Sequence, residues 1–225
     1  DTPGYFDFVG EVEEAVSAAD AAVIVVSGKN GVEVGTIKAW ELCEKYKIPR
    51  MIFVTDMDLD HASFRQALQD MTDVFGKKIA PFHLPIREDE KFIGFVNVVK
   101  MAGRKFTSIT EYEDFDIPDY SMENLKIARE ALMEAVAETS EEYMDRYFTQ
   151  DEILGAIRSH VRDCGMVPVL MGSGLNGIGA RMLLQGLVHY IPSPMERSIS
   201  GTDYKNNDVF EADYKEDKAF SAKIF

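Results

Sequence analysis

Three short apolar runs, each followed by a helical pattern, set the limits on what this chain can fold into. The run Ala21-Ala22-Val23-Ile24-Val25-Val26-Ser27 is continuous and β-branched, and Met51-Ile52-Phe53-Val54 repeats it. A strand with one wet face alternates apolar and polar residues. A strand covered on both faces does not, so these runs predict central strands of a parallel sheet. Met166-Val167-Pro168-Val169-Leu170-Met171 brings the pattern back far downstream.

Helical spacing fills the intervals. Val9, Val12 and Val16 predict a helix over about 7–19, and Val34, Ile37 and Trp40 predict one running to Tyr46, stopped by Ile48-Pro49. Phe64, Leu68, Met71 and Phe75 mark a third, with Gly76 as its stop, and 179–190 a last one, ended by Ile191-Pro192-Ser193-Pro194.

From Ala80 the pattern changes. Phe82 to Ile86, Phe92 to Val99 and Lys105 to Tyr112 predict three short strands, with turns at Arg87 to Glu90 and Ala102-Gly103. Ser121 is placed to cap a long helix with Leu125, Ala128, Leu132 and Val136 on one side. Asp151 is placed to cap another, with Leu154, Ile157 and Val161 inward and Gly165 at its end. The fold class predicted is therefore α/β: a parallel sheet with helices on both faces, interrupted over 80–164 by a small α+β subdomain. Phe220, Ala222 and Ile224 alternate with Ser221 and Lys223, the period of a half-buried strand opening a further domain.

With 225 residues, 46% of them hydrophobic, the chain can bury a real core. No run of eighteen apolar residues occurs, and the acidic amino end lacks a signal peptide's basic start, which points to the cytoplasm and away from the membrane. A formal charge of −15 argues against direct binding of DNA or other nucleic acid. Between Glu111 and Glu152 fourteen acids face three bases, Lys126, Arg129 and Arg146. That is either a solvated helical face or a docking surface for a basic partner. Cys43 and Cys164 form no C-x-x-C pair and have no His at ligand spacing, so they read as reduced, buried thiols.

Ligands of parallel α/β sheets bind beyond the carboxyl ends of the strands. Asp58 lies at such an end, where a carboxylate can accept two hydrogen bonds from a planar donor such as a guanine edge, or simply cap a helix. Gly172-Ser173-Gly174 follows the last strand; glycines there suit close approach to a ligand, and equally a plain turn. The chain begins on Asp1-Thr2-Pro3-Gly4, a turn motif that predicts a start inside a larger domain.

The order of these pieces resembles the bacterial elongation factor G family. Asp1-Thr2-Pro3-Gly4, Val23 to Ser27, Gly31-Val32-Glu33, Val54 to Asp58, Leu84-Pro85-Ile86, Phe92-Ile93-Gly94 and Pro168-Val169 to Ser193-Pro194 carry the likeness over essentially the whole chain. The resemblance implies an incomplete P-loop-type GTPase domain, its part after the phosphate loop at 1–79, the inserted subdomain at 80–164, the last strand and helix at 165–196, and a linker with the first strand of a following β-barrel at 197–225. It implies GTP or GDP with magnesium as ligands, the ribosome as partner, and the ribosomal stalk protein facing the acidic insert. By the same resemblance Asp1 organises the magnesium through its water shell, Gly4 senses the γ-phosphate, Asp58 reads guanine, and Ser173 and Gly174 pack on the base.

Three departures qualify it. Tyr5 stands where the family has a catalytic His, which slows hydrolysis unless another group substitutes. Thr55 and Asp56 replace the Asn and Lys of N-K-x-D, removing a side chain that braces neighbouring loops and a stem that covers the base, and adding a negative charge. No G-x-x-x-x-G-K-[ST] loop occurs in the 225 residues, so the chain by itself is not expected to bind nucleotide. Two readings follow: a GTP-hydrolysing translation factor resembling elongation factor G, or a ribosome-binding pseudo-GTPase acting as an interaction protein. An unrelated α/β domain must explain the matched order by accident.

Overall fold

The computed structural model describes residues 2, 6–138, 149–196 and 200–211. After a 3-10 turn at Phe6–Phe8, the chain runs through α1 (Val9–Ala18), β1 (Ala22–Ser27), α2 (Val34–Tyr46), β2 (Arg50–Thr55) and α3 (Phe64–Phe75). A short β3 (Ile79–Pro81) precedes an antiparallel meander, β4 (His83–Glu88), β5 (Lys91–Asn97), β6 (Ala102–Phe106) and β7 (Tyr112–Phe115). Helices α4 (Asp119–Ala137) and α5 (Gln150–Arg162) lead back to β8 (Val167–Met171) and α6 (Ala180–Tyr190), followed by a hairpin of β9 (Ser200–Thr202) and β10 (Val209–Glu211).

The parallel sheet has the order β1-β2-β8-β3, flanked by helices. Every residue of β8 is buried, as is β2 up to Val54, and each fully buried Val, Leu or Ile stabilises the fold by roughly 1.5–3 kcal/mol. β1 is one of the sheet's two edge strands among the described residues; Ile24 and Val26 are buried on one face, and Val25 on the other is 59% exposed.

Helix phases are also sharper than periodicity alone implied. In α2 the inward residues are Thr36, Trp40 and Cys43, while Val34 and Ile37 point outward. Trp40 stacks on Phe75 of α3 at 4.2 Å, which sets that phase and joins the two helices. α1 buries none of its residues fully, and its valines line a groove of about 750 Å³ beside β1 and α2.

The meander has four strands rather than three. Ala102 and Gly103 pair with Asn97 and Val96 instead of turning, and the expected strand from Lys105 to Tyr112 breaks into β6 and β7. The break is made by Ser108, whose hydroxyl accepts from the amides of Thr110 and Glu111. Ser and Thr compete with sheet hydrogen bonds in this way, which period counting misses. Ile79, Ala80 and Pro81 pair in parallel with Val167, Pro168 and Val169, carrying the parallel sheet just past the point where the sequence pattern changes.

Two capping expectations are corrected. Ser121 is buried inside α4, which begins after Pro118 without a side-chain cap. The cap of α5 is Thr149, in a reciprocal box with Glu152, and Asp151 sits in the first turn. Gly165 does follow that helix, because a Cβ there would lie 2.2 Å from the His160 ring. Beyond it, 200–211, read from sequence as polar linker, holds the β9–β10 hairpin. The strand expected around Phe220 to Ile224 lies outside the described residues.

Candidate nucleotide site at the carboxyl ends of β1, β2 and β8

Parallel register brings three strand ends abreast: Ser27 lies opposite Thr55, and Val54 opposite Met171. The loops leaving them are tied to one another by backbone hydrogen bonds. The Gly28 amide donates to the Thr55 carbonyl at 2.9 Å, Gly172 to Val54 at 2.9 Å, Met57 to Gly172 at 3.1 Å, and Ser63 to Gly28 at 2.8 Å. Glycine is required at Gly172, where a Cβ would stand 2.2 Å from the Ile178 carbonyl oxygen and 2.7 Å from the Phe53 ring.

Side chains then close the arrangement. Thr55 Oγ1 accepts from the Gly174 amide at 3.0 Å. The expectation that Thr55 forfeits the loop brace is therefore not met: a hydroxyl at this position supplies one of its own. Asn176 Nδ2 donates to Asp58 Oδ2 at 2.6 Å, leaving Oδ1 for a planar donor. Ser173 is buried, its amide donating to Ile178 O at 2.7 Å and its hydroxyl accepting from the Asn176 amide at 3.2 Å. The chain thus brings together Thr55, Asp58, Ser173 and Gly174, which lie more than a hundred residues apart in two pairs.

Asp56 is turned away from this group. Its backbone is left-handed, φ 63°, which an Asp tolerates better than most residues. Its carboxylate accepts from the Ser27 hydroxyl at 2.7 Å, so the added negative charge is engaged by the loop after β1. The Lys stem that would cover a base has no counterpart in this side chain.

Asn176, which sequence reasoning passed over, joins the candidate site through its hydrogen bond to Asp58. Its signal was weak: a carboxamide three residues past Ser173, indistinguishable in sequence from an ordinary turn residue. Asp1, Gly4 and Tyr5 lie outside the described residues, and with them the magnesium and γ-phosphate roles. Thr2 is described, and lies beside the groove lined by Val9, Val12 and Val16.

The donor set fits a guanine base. A half-buried carboxylate with one oxygen anchored and a glycine-containing loop beside it can accept from a flat ring with two edge N–H donors. Leu175, 88% exposed at the tip of that loop, offers apolar surface next to the site. Cys43 and Cys164 are free thiols remote in role from it; burial pushes both above the ordinary thiol range, so they stay protonated. Among the described residues no helix is long and apolar enough to cross a membrane.

Residues 1–193 match the family of the elongation factor Tu GTP binding domain. A protein of Thermus thermophilus, known from its crystal structure, is similar to this chain at 34% identity with a TM-score of 0.81. The match covers 88% of this chain and 30% of that one, so the chain spans about 30% of the length of that relative.

Proposed function

We propose, from the premise that the chain belongs to the family of elongation factor Tu GTP-binding domains, that it is the base-reading part of a guanine-nucleotide domain in a translation factor resembling elongation factor G. That factor binds GTP or GDP with magnesium and hydrolyses GTP on the ribosome in the cytoplasm. The observation supporting this reading is the paired clasp, Thr55 to Gly174 and Asp58 to Asn176, which joins the loops after β2 and β8 into one recognition surface.

In this reading Asp58 Oδ1, together with the anchored Oδ2, accepts the two N–H groups of the guanine edge. Ser173 and Gly174 keep the second loop flat against the base, and Gly172 lets the backbone come close. Nucleotide supplies the phosphoryl chemistry, and this part of the chain selects and holds its base. The exposed acids of α4, Glu123, Glu130 and Glu134, offer a surface for a basic face of the ribosomal stalk.

The Asp56–Ser27 contact favours a second reading. With its side chain held there, position 56 cannot cover the base as a Lys stem would, which suits a ribosome-binding pseudo-GTPase that holds nucleotide weakly and hydrolyses little.

Asp58→Asn in the full-length protein tests base reading directly. Replacing one carboxylate oxygen by an NH₂ swaps an acceptor for a donor, which matches the extra carbonyl of xanthine and mismatches the amino group of guanine. Preference is expected to move from GDP to xanthosine diphosphate. Unchanged preference for GDP would mean that Asp58 does not read the base.

A further inference from the structure

The inserted meander reaches back into the base-reading loop through one side chain. Strand β4 pairs regularly with β5 up to Ile86–Gly94, then shifts register between Ile86 and Arg87, where β5 carries the extra residue, Ile93, of a β-bulge. Bulges re-aim side chains, and here the Arg87 guanidinium leaves the meander for the loop between β2 and α3. Its Nη2 donates to the Met57 carbonyl at 3.0 Å and the Ala62 carbonyl at 3.1 Å, spanning the loop like a clip. Its Nη1 donates to the Glu90 carbonyl at 2.6 Å, in the β4–β5 turn. The Arg87 backbone is fixed in turn, its amide donating to the Tyr120 hydroxyl at 2.9 Å and its carbonyl accepting from that hydroxyl at 3.0 Å.

The position of these contacts gives them meaning. The Met57 carbonyl belongs to the planar peptide group that leads into Asp58, so holding it fixes the plane from which the carboxylate projects. The loop needs such help. Asp56 and His61 both adopt left-handed backbone, φ 63° and 66°, a conformation that Asp and His reach more readily than most residues but still at some cost, and that contacts such as those of Arg87 help to hold. It also carries three carboxylates, Asp56, Asp58 and Asp60, and Arg87 brings a cation to it.

We propose that Arg87 is a positioning residue for base recognition, through which the inserted subdomain sets the aim of Asp58. This rests on the base-reading role of Asp58 given above. It makes guanine selectivity dependent on a subdomain that does not itself touch the base, and makes the insert a place from which a bound partner can alter nucleotide retention.

The experiment compares GDP with inosine diphosphate, which lacks the 2-amino group, on the full-length protein carrying Arg87→Ala or Arg87→Gln. Gln keeps most of the stem, and thermal melting establishes that it folds. If Arg87 aims Asp58, affinity for GDP falls on the order of tenfold while affinity for inosine diphosphate falls less, because guanine loses two N–H contacts to Asp58 and inosine, which keeps only N1–H, loses one. Equal losses for both nucleotides, or no loss, would overturn the proposal, since a merely structural role lowers both alike. Asp58→Asn in parallel separates the two claims: a switch to xanthosine diphosphate with an unmoved ratio in the Arg87 variants sinks Arg87 alone, whereas no switch sinks base reading itself.

Discussion

Thr55 Oγ1 and the Gly174 amide are 3.0 Å apart, although 119 positions separate the two residues in the chain. The contact joins the ends of two neighbouring strands of the parallel sheet.

Thr55→Val removes that acceptor and keeps the shape. The Gly174 amide loses its partner, with a cost of about 1 kcal/mol in stability. Guanine-nucleotide affinity is expected to fall severalfold, read by calorimetry on the full-length protein; Thr55→Ser should retain both. A Thr55→Val protein that binds like wild type would show that the brace is dispensable.

Gly172 and Gly174 should respond differently to alanine. At Gly172 the new methyl meets the Ile178 carbonyl and the Phe53 ring at 2.2 and 2.7 Å, neither of which can yield easily, so a loss of about 1–3 kcal/mol is expected. At Gly174 the nearest atom is Thr55 Oγ1 at 3.2 Å, and a change within about 0.5 kcal/mol is expected. Urea denaturation midpoints decide it, and equal effects would contradict the cradle described for Gly172.

Asn176→Asp conserves size and sets a second carboxylate against Asp58, 2.6 Å away in the native pair. Guanine-nucleotide affinity should drop by about tenfold or more, since like charges at this range repel strongly. Added salt should recover part of the loss. Measurement of Kd at low and high ionic strength would show no such recovery if Asn176 served only to shape the turn.

His83 gives a pH dependence of known sign. Asn97 Oδ1 accepts the Lys100 amide at 2.8 Å, which turns the Asn97 NH₂ toward His83 Nε2 at 3.3 Å and places the imidazole proton on Nδ1. Burial pushes the His83 pKa down to about 3 from an ordinary 6.5. Between these values the unfolded chain binds a proton that the folded chain refuses, so stability rises with pH through that window and is level above it. Near pH 5 the slope from this one group is about 1.4 kcal/mol per pH unit. In His83→Gln, denaturation at pH 7 and pH 5 should differ less than in wild type; an unchanged difference would mean that His83 does not titrate as buried.

Tyr5→His bears on hydrolysis. An imidazole beside the D-T-P-G motif is expected to raise ribosome-stimulated GTP turnover of the full-length protein, by roughly a hundredfold if it acts in acid–base positioning of the attacking water. Equal and fast rates in both proteins would mean that Tyr5 or a neighbour already serves.

The sequence by itself determined the parallel α/β class, the interruption by a smaller sheet, and the identities of Thr55, Asp58, Ser173 and Gly174 as candidates. The class follows from continuous apolar runs and helical spacing, and the candidates from their place at strand ends together with the family resemblance carried by the order of motifs. Tertiary structure decided what pattern cannot carry. Which strands pair, and in what order, depends on hydrogen-bonded neighbours, so β8 enters between β2 and β3 although it comes last of the four in the chain. The phase of α2 depends on Trp40 meeting Phe75. Asn176 and Arg87 gained roles only when folding set them against Asp58 and the Met57 carbonyl. A hydrogen bond between distant residues is fixed by distance and angle in space, and chain spacing does not encode it.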